Sequence, residues 1–238
     1  MSHAPDVYVI TYDHPHRKTQ DLLFRLKLAG YAVAVRGLDW EPRKNHRPLF
    51  STGLPAALDC APEQFCHKLG FDYRWIGNLD AHSRWKAESP VLIGGAPLLP
   101  TEFVENNLVL NVHPGWLPKV RGLDSLKWAI YYGYPIGVTV HRVDRQVDLG
   151  KLLLREEVLL LPTDSLQSIA LRQYELGLNL MVKALDPMVL GSPSDYAEPP
   201  ASPTRRMKHV DELTMMERLR QRLAGLQIKT DCRAYSQL

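Results

Sequence analysis

The sequence predicts an α/β fold built on a parallel sheet, and three observations carry that expectation. Residues 6–12 (DVYVITY) are β-branched and aromatic, the makeup of a buried strand. Residues 19–29 then place Leu22, Arg25, Leu26 and Ala29 at helical spacing before Gly30. Residues 31–35 (YAVAV) return to strand character, so the chain opens with a strand-helix-strand unit, the seed of a parallel sheet.

The remaining elements follow in order. Residues 62–69 read as a helix entered by Pro62 and ended by Gly70, and 73–76, 91–93 and 108–112 as short strands. Asp124 can cap a helix running through Tyr132 and closed by Gly133, and 137–143 and 152–160 have strand composition. From Thr163 or Asp164 onward, Leu166, Ile169, Ala170, Tyr174, Leu178, Met181, Val182 and Leu185 form a long apolar stripe, which predicts a packed helix. Five prolines between 187 and 203 predict a linker or an irregular strap. Beyond it, Leu213, Met216, Leu219, Leu223 and Leu226 line one face of a final helix, with a boundary placed near residue 190.

With 238 residues the chain can build one substantial core and a small appendage. Hydrophobic content of 45% and charged content of 23% are those of a soluble globular protein, and no stretch approaches the ~18 apolar residues of a bilayer span. The start, MSHAPDVYVI, lacks a secretory signal, so a cytoplasmic protein is expected. Cys60, Cys66 and Cys232 match no metal or disulfide spacing and read as structural thiols. The formal net charge is +3, and residues 201–238 hold eight Lys/Arg against four Asp/Glu. An RNA-binding tail is weakly supported, because aromatic platforms do not interleave that charge.

Two constellations carry chemistry. Asn111 and His113 stand two apart at the end of a predicted strand, so they share one face about 6.5–7 Å apart. Pro114 ends the ladder there, at the carboxyl end where open α/β sheets hold ligands. An amide N–H and an imidazole could hold a carbonyl oxygen that becomes negative during attack, and losing one such donor costs about 3 kcal/mol of barrier. No Ser or Cys offers itself as an obvious nucleophile beside this His. The second constellation is HRVDRQVDLG, residues 141–150, where Asp144 or Asp148 can turn back toward His113 and orient it. Taken singly, Asn-x-His-Pro also reads as a turn, both acids as solvated, and Lys119 and Arg121 as surface charges.

Taken together, residues 111–150 resemble the signature of the folate-dependent formyltransferase family. The matching positions are Asn111, His113, Pro114, Leu117, Pro118, Arg121, Gly122, Ala129, Ile130, Gly137, Val138, Thr139, His141, Asp144, Asp148 and Gly150. The resemblance implies a Rossmann-like open, mostly parallel sheet with helices on both faces and a small C-terminal extension. It makes 1–190 a catalytic domain and 191–238 a linker and extension. It implies transfer of a formyl group from N10-formyltetrahydrofolate, as co-substrate, to an amine, with no metal. By the resemblance Asn111 holds the formyl oxygen, His113 stabilises the oxyanion and relays a proton, and Asp148 orients that relay. The pterin is expected between Pro97, Leu98 and Leu99 on one side and Asp144, Arg145, Gln146 and Val147 on the other. Gly115-Trp116 departs from the Ser-Leu of many members.

The acceptor is narrowed by what the chain lacks relative to that family. Glycinamide ribonucleotide formyltransferases carry a Gly-rich turn after the first strand, where this chain has TYDHPHRK, residues 11–18. Those acting on initiator methionyl-tRNA add a C-terminal barrel, and formyltetrahydrofolate hydrolases an N-terminal module. The closest resemblance is to sugar-nucleotide N-formyltransferases, which modify dTDP- or GDP-linked amino sugars destined for surface polysaccharide such as lipopolysaccharide O-antigen. Lys119, Arg121, His14, His16 or the Arg205-Arg206 pair are candidates for the diphosphate. The C-terminal extension is expected to build a homodimer, with neither nucleic acid nor membrane as partner. Glycinamide ribonucleotide as acceptor, or an inactive folate or nucleotide-sugar binding module, stand as alternatives.

Overall fold

The computed structural model describes residues 5–42, 47–85 and 89–235, with side chains to residue 227. Seven strands form one sheet in the order β3-β2-β1-β4-β5-β6-β7. They are β1 (Val7–Tyr12), β2 (Val33–Leu38), β3 (Asp72–Gly77), β4 (Val91–Ile93), β5 (Val109–His113), β6 (Gly137–Arg142) and β7 (Lys151–Glu157). The first five run parallel, whereas β6 pairs antiparallel with both β5 and β7. This is the Rossmann-like α/β sheet expected from the sequence. In the β5-β6 register Asn111 lies opposite His141, and His113 opposite Thr139.

Helices cover both faces. On one, α1 (Arg17–Leu28), α2 (Pro62–Leu69) and α5 (Leu166–Lys183) meet the sheet in a cluster that includes Leu22, Leu26, Val112, Val140, Leu178 and Met181. The other face carries α3 (Thr101–Asn106), whose Phe103 packs with Ile10, Val91 and Val109. The sequence reading has no α3, because six residues show too little of a 3.6-residue period. Ser165 starts α5 through a reciprocal bond with Ser168, which satisfies two backbone N–H groups that the helix itself leaves unpaired.

A third cluster forms where α4 (Ser125–Tyr132) meets α7 (His209–Tyr235). The inward row of α7 is Met215, Leu219 and Leu223, each four residues from the next, while Leu213 is 57% exposed. The expected stripe is therefore corrected: Leu213 sits two residues, about 200°, away from the row that packs. Lys127 of α4 and Glu212 of α7 join in a buried ion pair, and Glu212 also accepts from the Leu49 amide at 2.6 Å. Before α7, the proline-rich segment holds a short helix, α6 (Pro187–Leu190), and then lies along the sheet end as a strap. Ser194 exchanges two backbone bonds with Leu152, and Thr204 donates its amide to Arg121 O at 2.8 Å. Among the described residues no helix is long and apolar enough to cross a membrane. Cys66 is buried, which pushes its thiol up to about 12; the Cys232 side chain lies outside the described residues.

Candidate active site

Strand alternation directs Val112 into the helix-covered core and leaves Asn111 and His113 on the opposite face. His113 is 4% exposed and Asn111 half-buried. The turn after β5 is held from two sides. Thr139 accepts from the Leu117 amide at 3.1 Å and donates to Gly115 O at 2.8 Å. Gln173 of α5 donates to Pro114 O at 3.1 Å and Gly137 O at 2.9 Å. Gly115, the departure from the common family pattern, has a physical cause here: a Cβ on it would lie 2.6 Å from His113 Nε2.

The His113 ring has a defined orientation. Its Nε2 lies 2.8 Å from Val120 O and 3.1 Å from Ser125 Oγ, while Nδ1 faces Asp148 Oδ1 at 3.5 Å. A carbonyl oxygen only accepts, so Nε2 carries the proton in the neutral ring and Nδ1 is the site that gains one. Burial lowers the His113 pKa, Asp148 and the Val120 carbonyl oppose that, and Lys18 and Arg121 add to it; the net direction is down. Burial thus favours the neutral imidazole, with Nδ1 turned toward the carboxylate.

Asp148 stands at a positive φ of 54°, which a non-glycine residue adopts only when its surroundings impose it. Its Oδ2 accepts from the Gly122 amide at 2.9 Å. Gly150 follows because a Cβ there would fall 1.7 Å from Arg142 O. A second imidazole stands behind the carboxylate. His141 Nε2 lies 3.9 Å from Asp148 Oδ1, and neither His141 nitrogen has a hydrogen bond among the described residues. Burial, then His113, lowers its pKa to about 4.

The structure thus brings Asn111, His113 and Asp148 to one corner, at the carboxyl end of β5. Of the residues expected around a pterin, Leu98 is 83% exposed, Leu99 is half-buried, and Pro97 is exposed. In the facing loop Asp144 Oδ1 accepts from the Gln146 amide at 2.8 Å, Arg145 lies 3.7 Å from Glu105, and Val147 is exposed. Leu98 and Val147 are thus exposed apolar side chains, one on each of these loops.

The residues expected to hold a diphosphate do not gather. Arg121 is buried, and its three nitrogens donate to carbonyls: Nε and Nη2 to Val147 O, and Nη1 to Ala201 O. In this structure it clamps the acidic loop to the strap. Lys119 is half-buried within the tight turn of residues 116–120, where its amide donates to Trp116 O at 3.0 Å. His16 Nδ1 lies 2.9 Å from Thr19 Oγ1, and His14 stacks on Trp40. Arg206 pairs with Asp124 at 3.3 Å, while Arg205 is exposed.

Two residues were not singled out from the sequence. Lys18 donates to Ile93 O at 3.0 Å, at the end of β4, and burial brings its pKa down to about 8. Ser125 connects His113 to Gly122 O. Both line a cavity of about 490 Å³ on the α5 side of β5, together with Leu54, Val112, Gln173 and Gly177. Ser125 therefore stands between that cavity and the imidazole. Neither residue has a spacing rule that would have found it, since each is brought in by a helix start rather than by the strand bearing the triad.

Residues 55–185, more than half of the chain, match the model of the family described as formyl transferase. A methionyl-tRNA formyltransferase of Koribacter versatilis is 32% identical over 120 residues, covering 48% of this chain and 38% of that protein. The chain thus spans about two fifths of that relative's length. An N-formyltransferase from Helicobacter canadensis, solved with folinic acid and dTDP-3-aminofucose, superposes with a TM-score of 0.56 at 15% identity, over 84% of this chain and 71% of that one. A phosphoribosylglycinamide formyltransferase from Anaplasma phagocytophilum gives 0.54 at 17% identity, over 85% and 95%. At such identities the superpositions speak for the fold, and the match of the family model, covering α2 to α5 with Asn111, His113 and Asp148 inside it, is what decides: the chain belongs to the formyl transferase family.

Proposed function

We propose that the protein transfers a formyl group from N10-formyltetrahydrofolate to the amine of a nucleotide-linked amino sugar. The observation that carries this reading is the convergence of His113 and Asp148, 3.5 Å apart, beside Asn111 at the carboxyl end of β5. The folate supplies an electrophilic formyl carbon when bound between the loops at 97–99 and 144–147. The rest is chemistry of this chain's own groups.

Asn111 donates its carboxamide N–H to the formyl oxygen as negative charge develops there, in a corner from which water is largely excluded. The amine gives up a proton on attack, and His113 Nδ1, the ring nitrogen left free to take one, is the base that receives it. Once that proton is held at Nδ1, the ring carries positive charge beside the oxyanion and Asp148 stabilises it at 3.5 Å; the ring then gives the proton to N10 of the carrier as the bond between N10 and the formyl carbon breaks and tetrahydrofolate leaves. Val120 O and Ser125 keep Nε2 fixed, so the ring cannot turn the wrong nitrogen toward the carboxylate. A direct attack of this kind requires no covalent enzyme intermediate.

The sugar nucleotide is favoured over glycinamide ribonucleotide by the turn after β1, where Asp13, His14, Pro15 and His16 stand in place of glycines. The fold neighbour from Helicobacter canadensis, solved with a dTDP-linked amino sugar, supports the same choice. The C-terminal extension is proposed to join two copies, leaving Val210 and Leu213 of α7 outward. Incubation with N10-formyltetrahydrofolate and a panel of dTDP- and GDP-amino sugars tests the reading by mass spectrometry. A product 28 Da heavier is expected for one of them. Formylation of glycinamide ribonucleotide alone would overturn the choice of acceptor.

A further inference from the structure

The carboxyl ends of β1 and β2 carry an aromatic corner that the triad does not use. His14, just after β1, and Trp40, just after β2, stack with ring centroids 4.0 Å apart and planes 12° from parallel. His14 is exposed and Trp40 is 42% exposed, so this stack faces water instead of the core. Trp75 of β3 is 59% exposed in the same corner and donates its indole N–H to Asp39 Oδ1 at 3.0 Å. The backbone beneath is fixed: Asp13 N donates to Leu38 O, and Asp39 N to Gly77 O, both at 2.7 Å. Tyr73 adds a 2.6 Å bond to Asp13. Open apolar rings on a rigid base are what a flat heterocycle can stack on with little ordering cost.

We propose that this corner seats the nucleoside of the acceptor, a ribonucleoside diphosphate unit, with the base on the His14–Trp40 stack, a ribose hydroxyl donating to Asp39, and Lys18 facing the diphosphate. The inference rests on the nucleotide-linked reading given above and names its binding groups. Asp39 follows the last residue of the second strand, where doubly wound sheets place the acid that accepts from a ribose hydroxyl. Its bond with Trp75 uses one oxygen, and a carboxylate accepts several. Lys18 is placed between the two ends of such a ligand, because its ammonium lies on the carbonyl of Ile93, which closes β4. In the sheet order β2-β1-β4-β5, three strand spacings separate the Trp40 corner from His113, roughly 14 Å. A ribose and two phosphates bridge such a gap. Among the described residues lining the cavity the other lysine, Lys127, is already paired with Glu212, which leaves Lys18 to turn to a phosphate.

Titration calorimetry with UDP, GDP and dTDP, in the absence of folate, tests the corner. Trp40→Ala is expected to weaken binding of UDP or GDP about 10-fold, and Trp40→Tyr to stay within about 3-fold, since stacking on either ring is similar. Asp39→Asn is expected to weaken the ribonucleotides more than dTDP, which lacks the 2′-hydroxyl. Binding by Trp40→Ala equal to that of the unaltered protein overturns the corner, as does failure of the unaltered protein to bind any of the three at millimolar concentration. Melting temperature under each substitution checks the fold. Formyl transfer is measured separately. If nucleotide-linked amino sugars are formylated and Trp40→Ala leaves their KM unchanged, the corner is wrong and the proposed function stands. If UDP or GDP binds through Trp40 and no linked amine is formylated, the corner stands and the proposed function falls.

Discussion

The carboxyl end of β5, with the stretch of β6 paired to it, and the carboxyl ends of β1 and β2 lie at the same end of the sheet, yet they are built in opposite ways. At the first, His113, His141 and Thr139 are buried, and the chain's own groups fix the ring of His113 at Nε2 and face it at Nδ1. At the second, His14, Trp40 and Trp75 stand open to water on a fixed backbone. The difference separates two tasks. Stabilising charge that develops during a reaction needs low dielectric and donors set in advance. Recognising a ligand that arrives already charged and flat needs accessible surface.

Removing the imidazole is the largest expected effect and the sharpest way to break that contrast. His113→Ala is expected to lower kcat/KM for formyl transfer about 10³-fold or more, and Asp148→Asn to act with similar severity. The measurement is initial rate at several acceptor concentrations, alongside thermal unfolding. If the corner were buried for stability alone, unfolding would shift and turnover would survive near its starting level.

The second effect belongs to stability. Lys127 and Glu212 are both buried, and burial would raise the Glu212 carboxyl were it not for Lys127 and the Leu49 amide, which bring it below its ordinary range. Glu212→Gln leaves an uncompensated buried ammonium and is expected to cost about 3–5 kcal/mol in urea unfolding. Lys127→Met with Glu212→Leu is expected to recover much of that loss, since no lone charge remains. A cost under about 1 kcal/mol for Glu212→Gln would mean that α7 is held by Met215, Leu219 and Leu223 alone.

Much of this was legible in the sequence, and the illegible part has a common cause. The strands β1, β2, β4, β5 and β6 showed in runs of β-branched residues, and α5 in its apolar stripe, because their own period records what they bury. Asn111 and His113 were legible because alternation along one strand fixes their relation. Asp148 required a loop to fold back over 35 residues, and the resemblance supplied it. Lys18, Ser125 and the Lys127–Glu212 pair come from helices that pack from elsewhere, so no local spacing encodes them. Arg121 reads as a surface cation, yet the strap supplies Ala201 O and the loop Val147 O to receive it.

The smaller effect concerns acid. His141 folds with a pKa of about 4, against about 6.5 in an unfolded chain. Between those values the unfolded chain binds the proton and the folded one does not, so stability rises with pH across that window. The contribution is present above pH 6.5 and is lost as pH falls toward 4, on the order of 3 kcal/mol. His113 adds in the same direction, its pKa also being lowered by burial. Urea midpoints at several pH values, for the unaltered protein and His141→Asn, test this, with a flatter profile expected for the variant.

The smallest effect marks the far side of the contrast, where charges meet in water. Lys151 and Asp195 join β7 to the strap at 2.6 Å, but their side chains are 53% and 83% exposed. Lys151→Ala is expected to change stability by less than about 0.5 kcal/mol, because solvent and salt screen such a pair. What holds the strap at that place is the pair of backbone bonds between Leu152 and Ser194, 2.8 and 2.9 Å long, which the substitution leaves intact. Hydrogen exchange at those two amides gives the finer reading. Protection kept in Lys151→Ala assigns the attachment to the backbone, and protection lost would assign it to the ion pair despite its exposure.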